Sequence, residues 1–373
     1  MKITLALNSF KGTLTSREAN SSLARGLRNG FKNIEIDEIQ LSDGGDGFIE
    51  VMKEFEEFSI ENRNALNPHS EIIRTEILIN KSKNTVLIES ANIIGLKTCK
   101  KVNFSKSNSH GLGILIKELI NDGYKNFIIG IGGTAITDVG LGIIQELGLK
   151  ILNSDNKEIF ISNNNLDQIA RFDTTQLKDL KTISFKCFCD ANTSLDQLRT
   201  YLINCKGKGA NKKEVIKLEK SIPKVLNMIR NSTTKDFRKM DRVGCGGGSA
   251  YSFYAFLNAK LFLGADEILH LQNFEKRVKD TDLVITGEGL FDEVTFLGKL
   301  PNQVLKKCLK INKKVIVISP QYKVSYNSLF KAGFSGAFRT ELDAFNINEI
   351  IKDNSASSRL EDFGKIFGKF IYK

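Results

Sequence analysis

At 373 residues the chain is too long for one ordinary hydrophobic core, so two domains are expected. Hydrophobic residues at 41% and charged residues at 26% suit a globular protein, and no apolar run approaches the ~20 residues that cross a bilayer, so a membrane role is excluded. The formal net charge of +11 invites a nucleic-acid reading, but the lysines are spread along the chain, without clusters or zinc-finger spacing. No nucleic-acid partner is expected, and a basic surface would instead attract anionic substrates.

Residues 2–7 read as a first strand that reaches polar Asn8 at once, with no h-region of signal-peptide length. A helix over 16–29 follows, capped by Thr15 or Ser16, then a strand over 34–41 and a helix over 47–56. Strands 72–78 and 85–90 are joined by a polar turn with no helix between, which predicts a hairpin. The segment 62–70 ahead of it, holding Pro68, reads as a hinge linker. A helix over 113–122, a strand over 127–131, a helix over 140–147 and a polar loop over 153–165 come next. Then follow a strand over 183–189, helices over 212–230, 250–263 and 274–279, and a strand over 283–286. A helix over 300–310, a strand over 315–318 and a helix over 360–372 complete the chain. Strands alternating with helices indicate an α/β architecture with a largely parallel sheet.

In such a sheet ligands sit at the carboxyl ends of the strands. Ser9, Lys11 and Gly12 follow the first strand, and Asp43, Gly44, Gly45 and Asp46 the second. Gly132, Gly133, Thr134 and Asp138 follow Ile131, and Asp190 follows Cys189. Gly287, Glu288 and Asp292 follow Thr286, with Lys299 just beyond. The stretch 128–142 reads strand, glycine turn, helix, an arrangement that offers backbone N–H groups to an anion. Carboxylates at strand ends suit Mg²⁺, which takes one or two of them plus phosphate oxygens and water. Lysines and N–H groups suit the phosphates themselves. Together these parts describe phosphoryl transfer.

Each of these residues also admits a structural role. Lys11 is equally a solvated loop lysine, Asp43 and Asp46 turn formers, Asp138 a helix cap, Asp190 a strand terminator, and Glu288 and Asp292 surface acids. The run Gly244–Gly248 is either a flexible linker or a ligand loop. The usual nucleotide signatures are absent: Gly298-Lys299 is followed by Leu300 rather than Ser or Thr, and no GxGxxG follows a strand. Asp362-Phe363-Gly364 has no HRD loop before it. The six cysteines are scattered, which points to reduced thiols in the cytosol, and Cys187 and Cys189 read as core thiols rather than zinc ligands. His110 reads as a solvent-facing or helix-capping residue, and His69 and His270 as surface residues.

Taken in order, the blocks resemble those of the glycerate kinase family of the bacterial type. Its D-S-F-K-G-S/T matches Asn8-Ser9-Phe10-Lys11-Gly12-Thr13, and its A-D-G-G-E-G matches Ser42-Asp43-Gly44-Gly45-Asp46-Gly47. Its G-I-G-G-S-A-T-N-D-G-G matches Gly130 to Gly140, its C-D-V matches Cys189-Asp190-Ala191, and its Q-K-G-A matches Gly207-Lys208-Gly209-Ala210. Its I-T-G-E-G-R-x-D and G-K-x-P match Ile285 to Asp292 and Gly298 to Pro301. Asn8 stands for an acid, Thr137 for Asn, Val139 for Gly and Leu290 for Arg.

The resemblance implies a Rossmann-like parallel-sheet domain from 1–62 and 276–373, a second α/β domain from 63–275, and a cleft between them. It implies ATP-dependent phosphorylation of D-glycerate, 2-phosphoglycerate favoured, in the cytoplasm, with Mg²⁺ bridging the nucleotide phosphates. Lys11 and Asp190 would be catalytic, Asp190 as the base near the substrate hydroxyl. Ser9, Gly12, Gly44, Gly45, Gly132, Gly133, Thr134, Asp138, Gly287 and Lys299 would bind substrate or nucleotide. Asp43, Asp46, Glu288 and Asp292 would serve the metal. Leu290 and Val139 motivate two alternatives: a kinase of another small hydroxy acid, or a non-catalytic binding protein that keeps the fold. Oligomeric state is left open.

Overall fold

The computed structural model describes residues 1–10, 12–233, 236–340 and 355–372, so Lys11 lies outside the described residues. The chain divides into two units, Met1–Asp43 with Ala265–Lys373, and Gly44–Gly264. The first unit opens with β1 (Lys2–Leu7), α1 (Ser16–Gly30) and β2 (Glu35–Glu38). Thr15 caps α1 in a capping box with Glu18, satisfying donors that the first turn would otherwise leave open.

The second unit holds α2 (Phe48–Met52), β3 (Ser59–Leu66), β4 (Ile72–Asn80), β5 (Thr85–Glu89), α3 (His110–Asn121), β6 (Asn126–Ile131) and α4 (Leu141–Glu146). It continues through β7 (Lys150–Leu152), β8 (Arg171–Asp173), β9 (Ser184–Cys189), α5 (Leu198–Gly207), α6 (Lys212–Thr233), α7 (Ser249–Leu257) and β10 (Lys260–Leu263). The chain then returns to the first unit with α8 (Gly264–Leu271), α9 (Phe274–Arg277), β11 (Leu283–Gly287), α10 (Leu300–Lys310) and β12 (Val315–Ser319). It ends with α11 (Tyr326–Ala332), β13 (Gly336–Arg339) and α12 (Ala356–Ile371).

The sheet of the first unit is wholly parallel, in the order β13–β12–β11–β1–β2. Ile3, Leu5, Leu7, Ile285, Ile316 and Ile318 bury one face of it against Leu23 and Leu27 of α1 and Leu360 and Phe367 of α12. Helices α1 and α12 cross at backbone distance: a Cβ built at Gly26 would lie 2.0 Å from the Glu361 carbonyl oxygen.

The second unit carries a six-stranded sheet ordered β10–β9–β6–β5–β4–β3. The pairs from β10 to β5 are parallel, and β5–β4–β3 are antiparallel, so the hairpin expected from the sequence is present. Two of the expected segments change character. The first part of the segment read as a hinge linker, residues 62–66, lies in β3 and pairs with β4, and 67–70 form the turn between the two strands. The alternation of β3 was hidden because the strand lies at the sheet edge and is mostly polar. The single helix expected over 250–263 stops at Leu257, where Asn258 adopts the left-handed conformation that ends helices. Leu261 and Leu263 then point inward from β10, which pairs with β9. Thus residues 44–62, expected with the first domain, contribute α2 and the first half of β3 to the second unit, and 265–275 belong to the first. No described helix is long and apolar enough to cross a membrane.

Candidate active site

In the second unit the carboxyl ends of β5, β6 and β9 lie side by side, Glu89 opposite Gly130 and Ile131 opposite Cys189. This register sets Glu89, Gly132-Gly133 and Asp190 next to one another. The turn 44–47 folds onto the same edge. A Cβ built at Gly44, whose φ is +93°, would lie 2.6 Å from the Phe188 carbonyl oxygen. A Cβ at Gly132 would lie 2.6 Å from Asp190 Oδ2 and 2.8 Å from Gly45 Cα. One at Gly133, φ +64°, would lie 2.7 Å from Asp46 Oδ2. Two carboxylates therefore rest on two consecutive glycines, which only hydrogen in place of a side chain allows.

Glu89 and Lys97, which sequence reasoning passed over, complete this group. Glu89 is almost fully buried and accepts hydrogen bonds from the Gly47 N–H at 3.3 Å, the Ile49 N–H at 3.0 Å and Lys97 Nζ at 2.9 Å. Lys97 Nζ also lies 3.3 Å from Asp46 Oδ1. Burial pushes the Glu89 carboxyl up, with Lys97 pulling against it. Burial opposes the charge of Lys97, but Glu89 and Asp46 outweigh it and hold the ammonium above its ordinary value. The backbone before Lys97 is pinned to the glycine turn: the Leu96 N–H donates to Gly133 O at 3.2 Å, and the Ala135 N–H to Ile94 O at 2.9 Å. Lys208 joins the far end of the same turn, donating to Ile136 O at 2.6 Å and Thr134 Oγ1 at 3.4 Å. Glu89 had a legible signal, since it lies next to the last residue of a predicted strand. Lys97 had none, because its partners are distant in sequence.

Asp138 stands in a different setting. It is fully buried, its Oδ2 accepts from the Ser109 N–H at 2.9 Å and the Ser109 hydroxyl at 2.7 Å, and its Oδ1 accepts from the Gly140 N–H at 2.9 Å. Burial pushes its carboxyl up. These three donors tie the glycine-rich turn to the start of α3. His110 is not at the surface: it is buried as the first residue of α3, stacks on Phe160, and places Nδ1 2.7 Å from Glu146 Oε1 and Nε2 3.1 Å from Ile161 O. An apolar setting is possible because both ring nitrogens are partnered. The run Gly244–Gly248 is a packed turn rather than a linker, since a Cβ at Gly247 would lie 2.0 Å from Ile136 O. Cys187 and Cys189 are free and buried, and burial pushes both thiols far up, as expected of core cysteines.

In the first unit the carboxyl ends of β1 and β11 carry a second group. The Asn8 N–H donates to Gly287 O at 2.9 Å, and Asn8 Nδ2 donates to Asp43 Oδ2 at 3.1 Å. An acid at position 8 would set two carboxylates together, whereas the amide is a donor. Ser9 donates its N–H to Asn8 Oδ1, and Gly12 takes a left-handed φ of +82° in the turn that follows. Glu288 is buried and accepts from Thr295 Oγ1 at 2.5 Å. Burial pushes its carboxyl up, Lys299 and Thr295 oppose this, and Asp43 and Asp292 add to it. Lys299 Nζ lies 3.8 Å from both Glu288 and Asp292. Asp292 Oδ1 caps the short 3-10 turn Glu293–Leu297 by accepting from Val294 and Thr295 N–H groups. Gly287 has a packing reason of its own, since a Cβ there would lie 2.2 Å from Ile318 O.

The structure therefore gathers Asp46, Gly132, Gly133, Thr134 and Asp190 in one unit, and Asp43, Glu288, Asp292 and Lys299 in the other. Among the described residues no three or more His, Cys, Asp or Glu side chains form a group able to hold a metal ion. A cation that arrives with phosphate oxygens needs only one or two protein carboxylates. The donor set of Asp43 and Glu288, hard oxygens with burial already opposing the Glu288 charge, fits such an ion.

The model of the glycerate kinase family matches residues 3–370. Among similar proteins, the glycerate kinase of Bacillus subtilis is 30% identical over 91% of this chain and 90% of its own. The glycerate 2-kinase of Escherichia coli is 28% identical, over 91% and 90% respectively. The crystal structure of a protein assigned as glycerate kinase 2, from Salmonella typhimurium LT2, superposes with a TM-score of 0.72 at 25% identity, covering 100% of this chain and 98% of that one. With the strand-end glycines and acids in place and the match running almost end to end, the chain belongs to the glycerate kinase family.

Proposed function

We propose that this protein transfers the γ-phosphoryl group of ATP to D-glycerate and releases 2-phosphoglycerate, in the cytosol. The observation that supports it most is the pair of carboxylates, Asp46 and Asp190, held over the Gly132-Gly133 floor at the carboxyl edge of a parallel sheet. Asp190 is the base in this reading. It takes the proton of the acceptor hydroxyl as that oxygen bonds to the γ-phosphorus and the bond from γ-phosphorus to its bridging oxygen breaks. Lys299 and Lys11 are assigned to phosphate oxygens, where cationic donors strengthen as charge develops. Asp43 and Glu288 would hold Mg²⁺, which supplies neutralisation of phosphate charge. Asp138, spent on three protein donors, keeps the glycine turn in place.

The test is ADP release measured over a panel of small hydroxy acids, with and without Mg²⁺. Phosphorus–proton coupling in the product then distinguishes the 2- from the 3-phosphate. Release that requires D-glycerate supports the proposal. Turnover of a different hydroxy acid moves the substrate within the same chemistry, and equal release with and without every acceptor rejects it.

A further inference from the structure

We propose that Lys97 is the residue that receives the carboxylate of the acceptor, and so selects a hydroxy acid over a neutral polyol. The proposal rests on the reading of this group as the acceptor site.

Its ammonium has three N–H donors. Two are engaged by Glu89 and Asp46. The side chain as a whole remains 47% exposed, so the third donor has room for an incoming anion. The two carboxylates do not cancel that capacity. They hold the ammonium charged and fix its direction, while Glu89 is itself fixed by the Gly47 and Ile49 N–H groups at the start of α2. The position is also rigid, because the backbone of 94–96 is bonded to the glycine turn through Gly133 O and the Ala135 N–H.

The order of contacts then defines what fits. Lys97 reaches Asp46, Asp46 lies on Gly133, Gly132 is the next residue back, and Asp190 lies on Gly132. A cation thus stands at one end of a two-glycine floor and a proton acceptor at the other. The complementary molecule carries a carboxylate toward one end of this floor and a hydroxyl toward the other. A polyol without the carboxylate leaves the ammonium's third donor unpaired and loses a charge-assisted hydrogen bond. A lysine that served only to orient Asp46 would act on any acceptor alike.

The two roles separate in a substrate-by-variant comparison. Parent, Lys97→Met, Lys97→Arg and the double variant Lys97→Met/Glu89→Gln are assayed with D-glycerate and with its neutral amide, glyceramide. The double variant removes the charge that Lys97→Met alone leaves buried and uncompensated, and circular dichroism confirms folding of each protein. For D-glycerate, kcat/KM in Lys97→Met falls by about 10- to 100-fold, the scale of one hydrogen bond to a charged group, mostly through KM. For glyceramide it changes little, so the preference for the acid collapses, and Lys97→Arg restores part of it. The KM for ATP is unchanged. An equal loss on both acceptors, or an unchanged preference, overturns the proposal. A parent that turns over neither acceptor refutes the kinase proposal instead. Calorimetric titration of D-glycerate into parent and Lys97→Met then decides the contact: binding weakened by the substitution supports it, and binding equal in both, or absent from the parent, overturns it.

Discussion

Gly132→Ala offers a direct way to perturb the floor of the proposed acceptor site. The new Cβ would stand 2.6 Å from Asp190 Oδ2, 2.8 Å from Asp190 Cγ and 2.8 Å from Gly45 Cα. Carbon atoms prefer about 3.5–4.0 Å, so the contact with Gly45 is short by roughly an ångström. The Asp190 carboxylate can rotate, but Gly45 is backbone within a buried turn and can move only with its neighbours. Overpacking of this kind costs about 1–3 kcal/mol, which in a unit of this size lowers Tm by about 2–4 °C per kcal/mol. The kinetic loss should be larger than the loss of stability suggests. A displacement of about 1 Å at a reacting group costs on the order of 10²-fold in rate. The assay is steady-state ADP release at saturating ATP, paired with a thermal melt. Gly207→Ala is the control, since a Cβ there meets nothing within 4 Å. A roughly hundredfold fall in kcat with a modest fall in Tm is expected for Gly132→Ala, and parent-like values for Gly207→Ala. Parent-like kcat in Gly132→Ala would refute the reasoning, because it would mean that Asp190 can leave its place on the glycine floor without consequence.

Asp190→Asn should lower kcat by about 10²–10⁴-fold and barely move the KM for ATP, as loss of a general base does; near-parent kcat removes Asp190 from that role. Asp138→Asn should do the reverse: the amide keeps one oxygen but turns its NH2 toward either the Ser109 or the Gly140 N–H, destabilising the fold by about 1–3 kcal/mol while turnover per folded molecule is largely kept. A melting curve that overlays the parent's would contradict this. Glu288→Gln tests the sign of a buried charge. Burial raises the folded-state pKa of Glu288 above its unfolded value, so its ionisation weakens the fold at pH above that folded pKa, and the penalty fades as pH falls into the ordinary carboxyl range. The variant should therefore melt higher than the parent at pH 8 and converge with it near the ordinary glutamate value of about 4.3. A variant that is less stable at pH 8 and no worse at low pH would reverse the assignment.

The sequence by itself determined the α/β class, the alternation of most strands and helices, and the strand ends at which the candidate site residues gather. These features are written in short-range patterns. An apolar run that stops at a glycine pair, with a carboxylate a few residues on, is visible at 42–47, 130–138 and 285–292 without any knowledge of the fold. The same short range explains what was missed. Edge strand β3 is mostly polar, and the break at Asn258 depends on β10 finding β9 as a partner. Only the tertiary structure decided what each acid touches. Asp46 meets Lys97, and Glu89 meets the start of α2, across 40 residues or more of chain. Asp138 is spent on Ser109 and Gly140, and Gly287 is required by Ile318 O. A carboxylate's role depends on which donors reach it and how much water is left around it, and both are set by segments that sheet register brings together from distant parts of the sequence.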